Sequence, residues 1–324
     1  MAAADCVLKL GGSALTHKGR RESARDGALR SAAGLVRELC AAGAGRCIVV
    51  HGAGSFGHFQ AKAHGLASGS PTNSESLRQG LCLTRISVTK LNHMVTEQLV
   101  MCGVPAVGIS PFGAWRTAGR KITQAGIAAI RDSLEAGYIP VLHGDCVLDS
   151  EQHCSILSGD TIIEVLSREF SPKRVVFLTD VNGIYDRPPD TPGATLVDSI
   201  AVNADGSIDP PVLTSALPHD VTGGLALKLQ TAINIVTQSN GSIPVLICKL
   251  ESEVAKRACL TGELRTDQHS CNQHQWNYND SHQQIHPMCA VYPTVFSYGR
   301  QLRKAKSFVT DFHLLKAEGA RLRQ

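Results

Sequence analysis

The chain has 324 residues, of which 43% are apolar, so it can bury a sizeable core in one large domain or two smaller ones. Its formal net charge of +4 lacks the dense basic blocks of nucleic-acid or membrane-surface binders, and no apolar run approaches the about 20 residues of a membrane span. The eleven cysteines are scattered without any CxxC pair, which disfavours a disulfide framework and a zinc ribbon. We therefore expect a cytoplasmic protein with a small-molecule partner, binding neither nucleic acid nor membrane.

Short apolar runs alternate with helix-like segments along the first 250 residues. Such alternation predicts βαβ units and an α/β fold with a parallel sheet. The predicted strands are CVLKL, RCIVVHG, VPAVGIS, YIPVLHGD, RVVFLTDV and SIPVLICKL. The predicted helices are RSAAGLVRELCAAG, a long stretch from about Ser74 to Cys102, ITQAGIAAIRDSLEAG, SGDTIIEVLSREF, and the end of HDVTGGLALKLQTAINIVTQ.

From about Glu251 the composition becomes rich in His, Gln and Asn, and the alternation fades apart from the run MCAVYPTVF. We predict one domain over 1–250 and a divergent tail over 251–324, for which disorder is one interpretation. Four tail residues have spacings found in zinc sites, but their surroundings lack the apolar anchors of a small zinc module, which favours the disordered interpretation. They are Cys271, His274, His282 and His286.

Glycine-rich loops follow several predicted strands, at the sheet edge where open α/β proteins bind ligands. In LKLGGS, Lys9 lies near the strand end, and Gly11 and Gly12 let backbone N–H groups approach an anion. The loop HGAGSFGH places three further glycines before His58. It matches neither a Walker A loop nor the GxGxxG dinucleotide fingerprint, which disfavours a nicotinamide dehydrogenase.

Two later loops add to this edge. In ILSGDT, Ser158 and Gly159 precede a helix whose N-terminus suits an anion, while Asp160 could simply cap that helix. In LTDVNGIYD, Asp180 ends a strand and suits a ribose hydroxyl or a magnesium-associated contact; DVTGGLALKL then supplies two more glycines and Lys228.

Together these loops describe a site for more than one phosphate group. Phosphoryl transfer is the natural chemistry, because it depends mainly on positioning and charge neutralisation by lysines, backbone N–H groups and a metal ion.

The motifs KLGGS, HGAGSFGH, SGD, LTDVNGIYD and DVTGGxxxKL, in this order, resemble the amino-acid kinase superfamily and, within it, the isopentenyl phosphate kinases. The specific part is HGAGSFGH with its terminal histidine. The resemblance spans roughly residues 5–250 and implies a three-layer αβα sandwich around a mainly parallel sheet. It also implies an acceptor-binding half over about 1–160, an ATP-binding half over about 161–250, and a homodimer.

The resemblance implies ATP-dependent phosphorylation of isopentenyl phosphate to isopentenyl diphosphate, with Mg²⁺ and without a protein metal ligand. The implied catalytic residues are Lys9, Lys18 and His58. The implied acceptor-binding residues are Ala53, Gly54, His58 and Gly159. The implied ATP-binding residues are Lys9, Leu10, Gly11, Gly12, Ser13, Gly54, Asp180, Gly224 and Lys228.

Two alternatives stay open at this point. Another kinase of the superfamily would phosphorylate an amino acid or a different phosphorylated acceptor, and such a carboxylate kinase should tolerate the loss of His58 better. The second alternative is a non-catalytic ATP-binding module. Nothing after Leu250 matches the usual ending of the family, and an altered ending could abolish turnover.

Overall fold

The computed structural model describes residues 3–70, 72–189, 191–212, 224–262 and 294–298. No helix in these ranges is long and apolar enough to cross a membrane. The elements, in chain order, are β1 (Cys6–Leu10), α1 (Gly12–Leu15), α2 (Asp26–Ala41), β2 (Cys47–His51), a 3-10 turn (Gly54–Phe56), α3 (His58–Ala63), α4 (Glu75–Met101), β3 (Ala106–Gly108), β4 (Arg116–Ala118), β5 (Lys121–Gln124), α5 (Ile127–Glu135), β6 (Ile139–His143), β7 (Asp145–Asp149), β8 (His153–Leu157), α6 (Gly159–Phe170), β9 (Val175–Thr179), β10 (Ile184–Tyr185), β11 (Leu196–Val197), β12 (Ser199–Val202), β13 (Ile208–Asp209), α7 (Gly224–Gln238), β14 (Val245–Lys249), α8 (Glu253–Leu260) and β15 (Thr294–Tyr298).

A nine-stranded sheet in the order β13-β12-β15-β14-β9-β1-β2-β6-β3 forms the centre of the described structure. From β14 to β3 every neighbouring pair is parallel, whereas β14 with β15 and β12 with β13 are antiparallel. The mainly parallel sheet predicted from the sequence is thus confirmed. Because the parallel strands run in one direction, their carboxyl ends meet at one edge, where the predicted loops after β1, β2 and β9 begin. The predicted loop at Gly159 follows β8, which is outside this sheet, but reaches the same edge beside Lys9 and His51.

Side chains alternate across the central strands and define two cores. Leu8 and Leu10 of β1 pack with α2, α4 and α8 on one face, whereas Val7 packs with α5, α6 and α7 on the other. Strands that are covered by helices on both faces have continuous apolar sequences, and these runs are the pattern that predicted the strands. The predicted three-layer αβα sandwich is therefore confirmed.

Helix α4 confirms the long helix predicted between Ser74 and Cys102. The Ser74 side chain caps it by accepting a hydrogen bond from the Leu77 N–H at 3.2 Å. Its buried stripe changes from apolar to polar in the middle, where Thr84, Ser87 and Asn92 are all buried. The long helix therefore brings polar groups to the carboxyl edge of the sheet.

A second sheet, in the order β5-β4-β7-β8, was not predicted. The helix expected from Ile122 begins only at Ile127, because 121–124 pair with β4 in an antiparallel hairpin. Arg120, at the turn, has a φ of +67°. The alternating pattern near Ile122 suits a strand as well as a helix, and tertiary pairing decides between them.

Two described elements fall within the predicted tail. Helix α8 buries Val254 and Ala258 against the core, and β15 pairs with β14. Thr294 fixes β15 by accepting the Ile184 N–H at 2.7 Å. The domain boundary at 250 stays a prediction; 263–293, with the four candidate zinc ligands, and 299–324 lie outside the described residues.

Asp149 organises the second sheet from the end of β7. Its carboxylate accepts hydrogen bonds from the Thr117 hydroxyl and from the N–H groups of Gly119, Arg120, Glu151 and Gln152, at 2.8–3.1 Å. Burial alone would raise the Asp149 pKa, but these hydrogen bonds outweigh it and hold the pKa well below its ordinary value.

We expect Asp149→Ala to lower the free energy of unfolding by about 2–4 kcal/mol, because several donors lose a charged acceptor. Chemical denaturation against pH measures this. With a depressed folded pKa, the stabilisation by Asp149 is present above the unfolded carboxyl pKa and lost as pH falls through the folded value. Equal stability of wild type and variant at pH 7 would contradict the assignment.

Candidate active site

The glycine loops after β1 and β2 interlock through their backbones. A Cβ atom on Gly12 would lie 2.5 Å from the Gly54 nitrogen, and one on Gly52 would lie 2.7 Å from the Gly12 nitrogen. Gly54 has a φ of +50°, and a Cβ there would overlap the Thr16 hydroxyl. Side chains at these positions would separate the loops. The two predicted anion-binding loops therefore form one continuous surface of peptide groups.

Lys9 and Asp160 form a buried ion pair beside this surface. The Lys9 Nζ lies 2.9 Å from the Asp160 Oδ1, and the two residues are only 4% and 8% exposed. Burial would raise the Asp160 pKa, but nearby Lys9 and Lys228 outweigh it and lower the pKa. The carboxylate thus links β1 to the beginning of α6 and lies close to the cation of α7.

Asp180, directly after β9, holds the other lysine of the site. The Ser13 hydroxyl donates to its Oδ1 at 2.8 Å, and the Lys18 Nζ lies 3.1 Å from its Oδ2. Burial would raise the Asp180 pKa, and the hydrogen bonds from Ser13 and Lys18 outweigh it and lower the pKa. The Lys18 side chain is 73% exposed, so unlike Lys9 it can turn towards a ligand.

His58 begins α3, four residues after the Gly54 turn. Its side chain is exposed, yet the surrounding protein desolvates the ring enough to lower its pKa below the ordinary value. The ring is therefore neutral near pH 7 and can both donate and accept a hydrogen bond. A phosphate dianion beside it would favour the charged form and raise the pKa again.

Gly144, which we did not predict, is a buried residue between β6 and β7, beside two predicted acceptor-binding residues. A Cβ atom there would lie 3.4 Å from the Gly159 nitrogen, 3.6 Å from the Leu157 carbonyl oxygen and 3.8 Å from the Ala53 nitrogen. We call this meeting point of backbone segments the Gly144 junction. In the sequence, Gly144 is recognisable as a glycine at the carboxyl end of the predicted strand YIPVLHGD, the position at which the other predicted loops have theirs.

Most predicted site residues lie at this one edge, but some make no contact that the structure describes. The Leu10 side chain is buried in the core, and its carbonyl accepts the Gly52 N–H at 2.9 Å, so no ligand contact of its side chain is supported. Gly224 begins α7, while the residues of its loop from 213 to 223 lie outside the described ranges. The ligand contacts of the predicted residues stay predictions.

Residues 6–249 match the amino acid kinase family. The chain is 36% identical over 307 residues to the isopentenyl phosphate kinase of Arabidopsis thaliana, covering 80% of this chain and 91% of the relative. It is 40% identical over 233 residues to the isopentenyl phosphate kinase of Methanothermobacter thermautotrophicus, covering 69% of this chain and 84% of the relative.

Solved structures that are similar to this chain also include isopentenyl phosphate kinases. An isopentenyl phosphate kinase known from X-ray structures superposes with a TM-score of 0.67 at 33% identity, covering 80% of this chain and 97% of the other. The product complex of the isopentenyl phosphate kinase of T. acidophilum superposes with a TM-score of 0.60 at 26% identity, covering 78% and 92%.

Proposed function

Because the chain belongs to the amino acid kinase family, we propose that it transfers the γ-phosphoryl group of ATP to isopentenyl phosphate, giving isopentenyl diphosphate and ADP. One observation carries the proposal: the Gly159 backbone lies between Lys9 and the loop after β2. A Cβ atom at Gly159 would lie 2.8 Å from the Lys9 Cε and 3.3 Å from the His51 carbonyl oxygen, and the Gly159 nitrogen is at the Gly144 junction. We propose that the two phosphate-bearing ligands approach each other at Gly159.

The lysine side of Gly159 suits the phosphates of ATP. The Lys9–Ser13 loop supplies peptide N–H groups, while Asp180, Gly224 and Lys228 are proposed to hold the rest of the nucleotide. The other side suits the phosphate of the acceptor, held by N–H groups of Ala53, Gly54 and Gly159 and by the His58 ring. Donors on both sides offset the repulsion between two anions.

In the proposed reaction a phosphate oxygen of the acceptor attacks the γ-phosphorus. A new P–O bond forms while the bond between the γ-phosphorus and the β–γ bridging oxygen breaks, and ADP leaves with that electron pair. The acceptor oxygen is already ionised, so the step requires no general base. Lys9 and Lys18 would neutralise the charge on the transferring group, Lys9 from a fixed position and Lys18 after turning from Asp180.

We expect Mg²⁺ to bind at this site together with the phosphates of the nucleotide. Within the described ranges no group of three or more His, Cys, Asp or Glu residues could hold a metal. Asp160 and Asp180 are each already paired with a lysine. Mg²⁺ commonly binds substrate phosphates with one or two carboxylates, and here it would neutralise phosphate charge in that way.

Nine described cysteines are free thiols, six of which are buried strand or helix residues. Free thiols persist in a reducing compartment. We therefore propose the cytoplasm as the place where the protein works.

We propose a homodimer built on the outer face of α4. Ile86 and Val100 are 67% and 51% exposed and lie fourteen residues apart, on one side of the helix. Met101 is 78% exposed, and Tyr138 and the edge strand β3 lie at the same end of the sheet. Apolar side chains at the two ends of this face, with exposed Lys90, His93 and Glu97 between them, and the neighbouring edge strand of the described sheet suit a second copy of the chain.

Light scattering after gel filtration tests this arrangement. The wild type should have about twice the 34.5 kDa mass of one chain. The double variant Ile86→Asp/Met101→Asp should elute as a monomer, because two charges would be buried without partners. A wild-type monomer, or a variant that remains dimeric, would contradict the proposed face.

We expect His58→Ala to lower kcat/KM for isopentenyl phosphate by about 10²–10³-fold, because one donor to the reacting phosphate is lost. The KM for ATP should stay close to that of the wild type, because His58 lies on the acceptor side. Steady-state kinetics with each substrate varied in turn measures both.

His64→Ala is the matched control. His64 follows the same helix and bonds to the Ser76 hydroxyl at 3.3 Å, so both constants should remain unchanged. A His58 variant that kept full activity with isopentenyl phosphate would contradict the proposal. Turnover of amino-acid acceptors in its place would favour a carboxylate kinase.

A further inference from the structure

A buried chain of hydrogen bonds runs behind the acceptor loop. His51 is the last residue of β2, and its side chain is fully buried. The His51 Nδ1 lies 3.0 Å from the Gly52 carbonyl oxygen, and its Nε2 lies 3.1 Å from the Asn92 side-chain nitrogen. The same Asn92 nitrogen lies 3.2 Å from the Val141 carbonyl oxygen. None of these groups has a role in the reaction described above.

The two carbonyl oxygens determine where the protons lie. The Val141 oxygen can only accept, so the Asn92 group facing it must be the NH₂, which also donates to the His51 Nε2. The Gly52 oxygen can only accept, so the His51 Nδ1 must carry a proton. His51 is therefore held as one neutral tautomer, with Nδ1 as the donor and Nε2 as the acceptor.

The surroundings of His51 keep it neutral. Its ring stacks on His143 with centroids 5.6 Å apart. Burial has the largest effect on the His51 pKa and, together with His143 and Lys9, lowers it to about 3. The hydrogen bond to the Gly52 carbonyl acts in the opposite direction but does not outweigh them. The donor at Nδ1 is thus present throughout the pH range in which the protein is assayed.

The Nδ1 donor orients the next peptide group. In a planar trans peptide the C=O and N–H bonds point in opposite directions. With the Gly52 oxygen held by His51, the Ala53 N–H points away from the His51 Nδ1, and the Ala53 nitrogen lies 3.8 Å from the position of a Cβ on Gly144. In the described part of the chain this N–H has no protein acceptor.

We propose that Asn92 and His51 are positioning residues, which hold the Gly52 carbonyl and thereby aim the Ala53 N–H at the phosphate of the acceptor. The inference rests on the proposed function, since it takes the Ala53 N–H as a donor to the acceptor phosphate. The carbonyl of Gly144 is held in the same way, because the His143 Nδ1 lies 3.0 Å from its oxygen.

Two substitutions at His51 test the hydrogen bond to the Gly52 carbonyl separately from the presence of the imidazole ring. In His51→Leu the Gly52 carbonyl loses its donor, and we expect the KM for isopentenyl phosphate to rise about 10- to 100-fold, the value of one hydrogen bond to a charged group. In His51→Asn the amide nitrogen replaces Nδ1, so the KM should return towards the wild-type value. The KM for ATP should be unchanged in both variants.

Asn92→Leu removes the donor to Nε2 and frees the ring to turn, so it should raise the same KM in the same direction. Asp149→Ala is the control, because it destabilises the protein in the second sheet without touching this hydrogen-bond chain. Its KM for isopentenyl phosphate should equal that of the wild type. An unchanged KM in His51→Leu, with an active wild type, would overturn the inference alone.

A spectroscopic measurement on the wild type is independent of variant folding. The imidazole ¹⁵N shifts of His51 at pH 7 should show the neutral tautomer with the proton on Nδ1. A proton on Nε2, or an imidazolium, would overturn the inference. A wild type that binds ATP but leaves isopentenyl phosphate unchanged would instead overturn the proposed function, and this inference with it.

Discussion

Replacing Lys9 with methionine is expected to lower kcat about 10²–10³-fold, because the transferring group loses a fixed positive charge. The same change should lower the free energy of unfolding by about 3–5 kcal/mol, since the Asp160 carboxylate loses its buried partner at 2.9 Å. Kinetics and chemical denaturation of one preparation measure both effects.

The double variant Lys9→Met/Asp160→Asn separates catalysis from stability. Removing both charges of a buried pair is often close to neutral, so this variant should recover most of the lost stability. Its kcat should remain as low as that of Lys9→Met, because the cation is still absent. Recovery of activity together with stability would mean that Lys9 has only a structural role.

A single methyl group on Gly12 should damage both binding loops. The added Cβ of Gly12→Ala would lie 2.5 Å from the Gly54 nitrogen and 2.7 Å from its Cα, and backbone atoms cannot move aside as a side chain can. We expect kcat/KM to fall about 100-fold for ATP and for isopentenyl phosphate alike, the usual cost of displacing a reacting group by about 1 Å.

Gly34→Ala is the matched control for this change. Gly34 lies within α2, and no heavy atom would come within 4 Å of its added Cβ. Alanine also favours the helix by about 0.5–1 kcal/mol over glycine, so activity should be unchanged and stability slightly higher. If Gly12→Ala behaved like Gly34→Ala, the two loops could not be interlocked as described.

The sequence was most informative where a local pattern determines the structure. Apolar runs such as CVLKL are buried on both faces of a parallel sheet, so strand type and sheet position follow from one observation. Glycines directly after such runs identified the loops at the carboxyl edge. The order of those loops along the chain then indicates the family.

Contacts between residues far apart in the sequence leave no local pattern from which they could be predicted. Lys9 meets Asp160 across 151 positions and His51 meets Asn92 across 41, and no local pattern encodes either contact. Asp160 was interpreted as a possible helix cap, whereas its main partner is the Lys9 ammonium. Strand β5 was predicted as the start of a helix, because only its pairing with β4 distinguishes the two.

The most direct test of the central claim is ³¹P NMR of the full-length protein with ATP, Mg²⁺ and isopentenyl phosphate. We predict that the isopentenyl monophosphate signal is replaced by the two signals of the diphosphate, with one ADP formed for each molecule converted. Bound ATP with an unchanged monophosphate signal would contradict the claim and favour a non-catalytic nucleotide-binding protein.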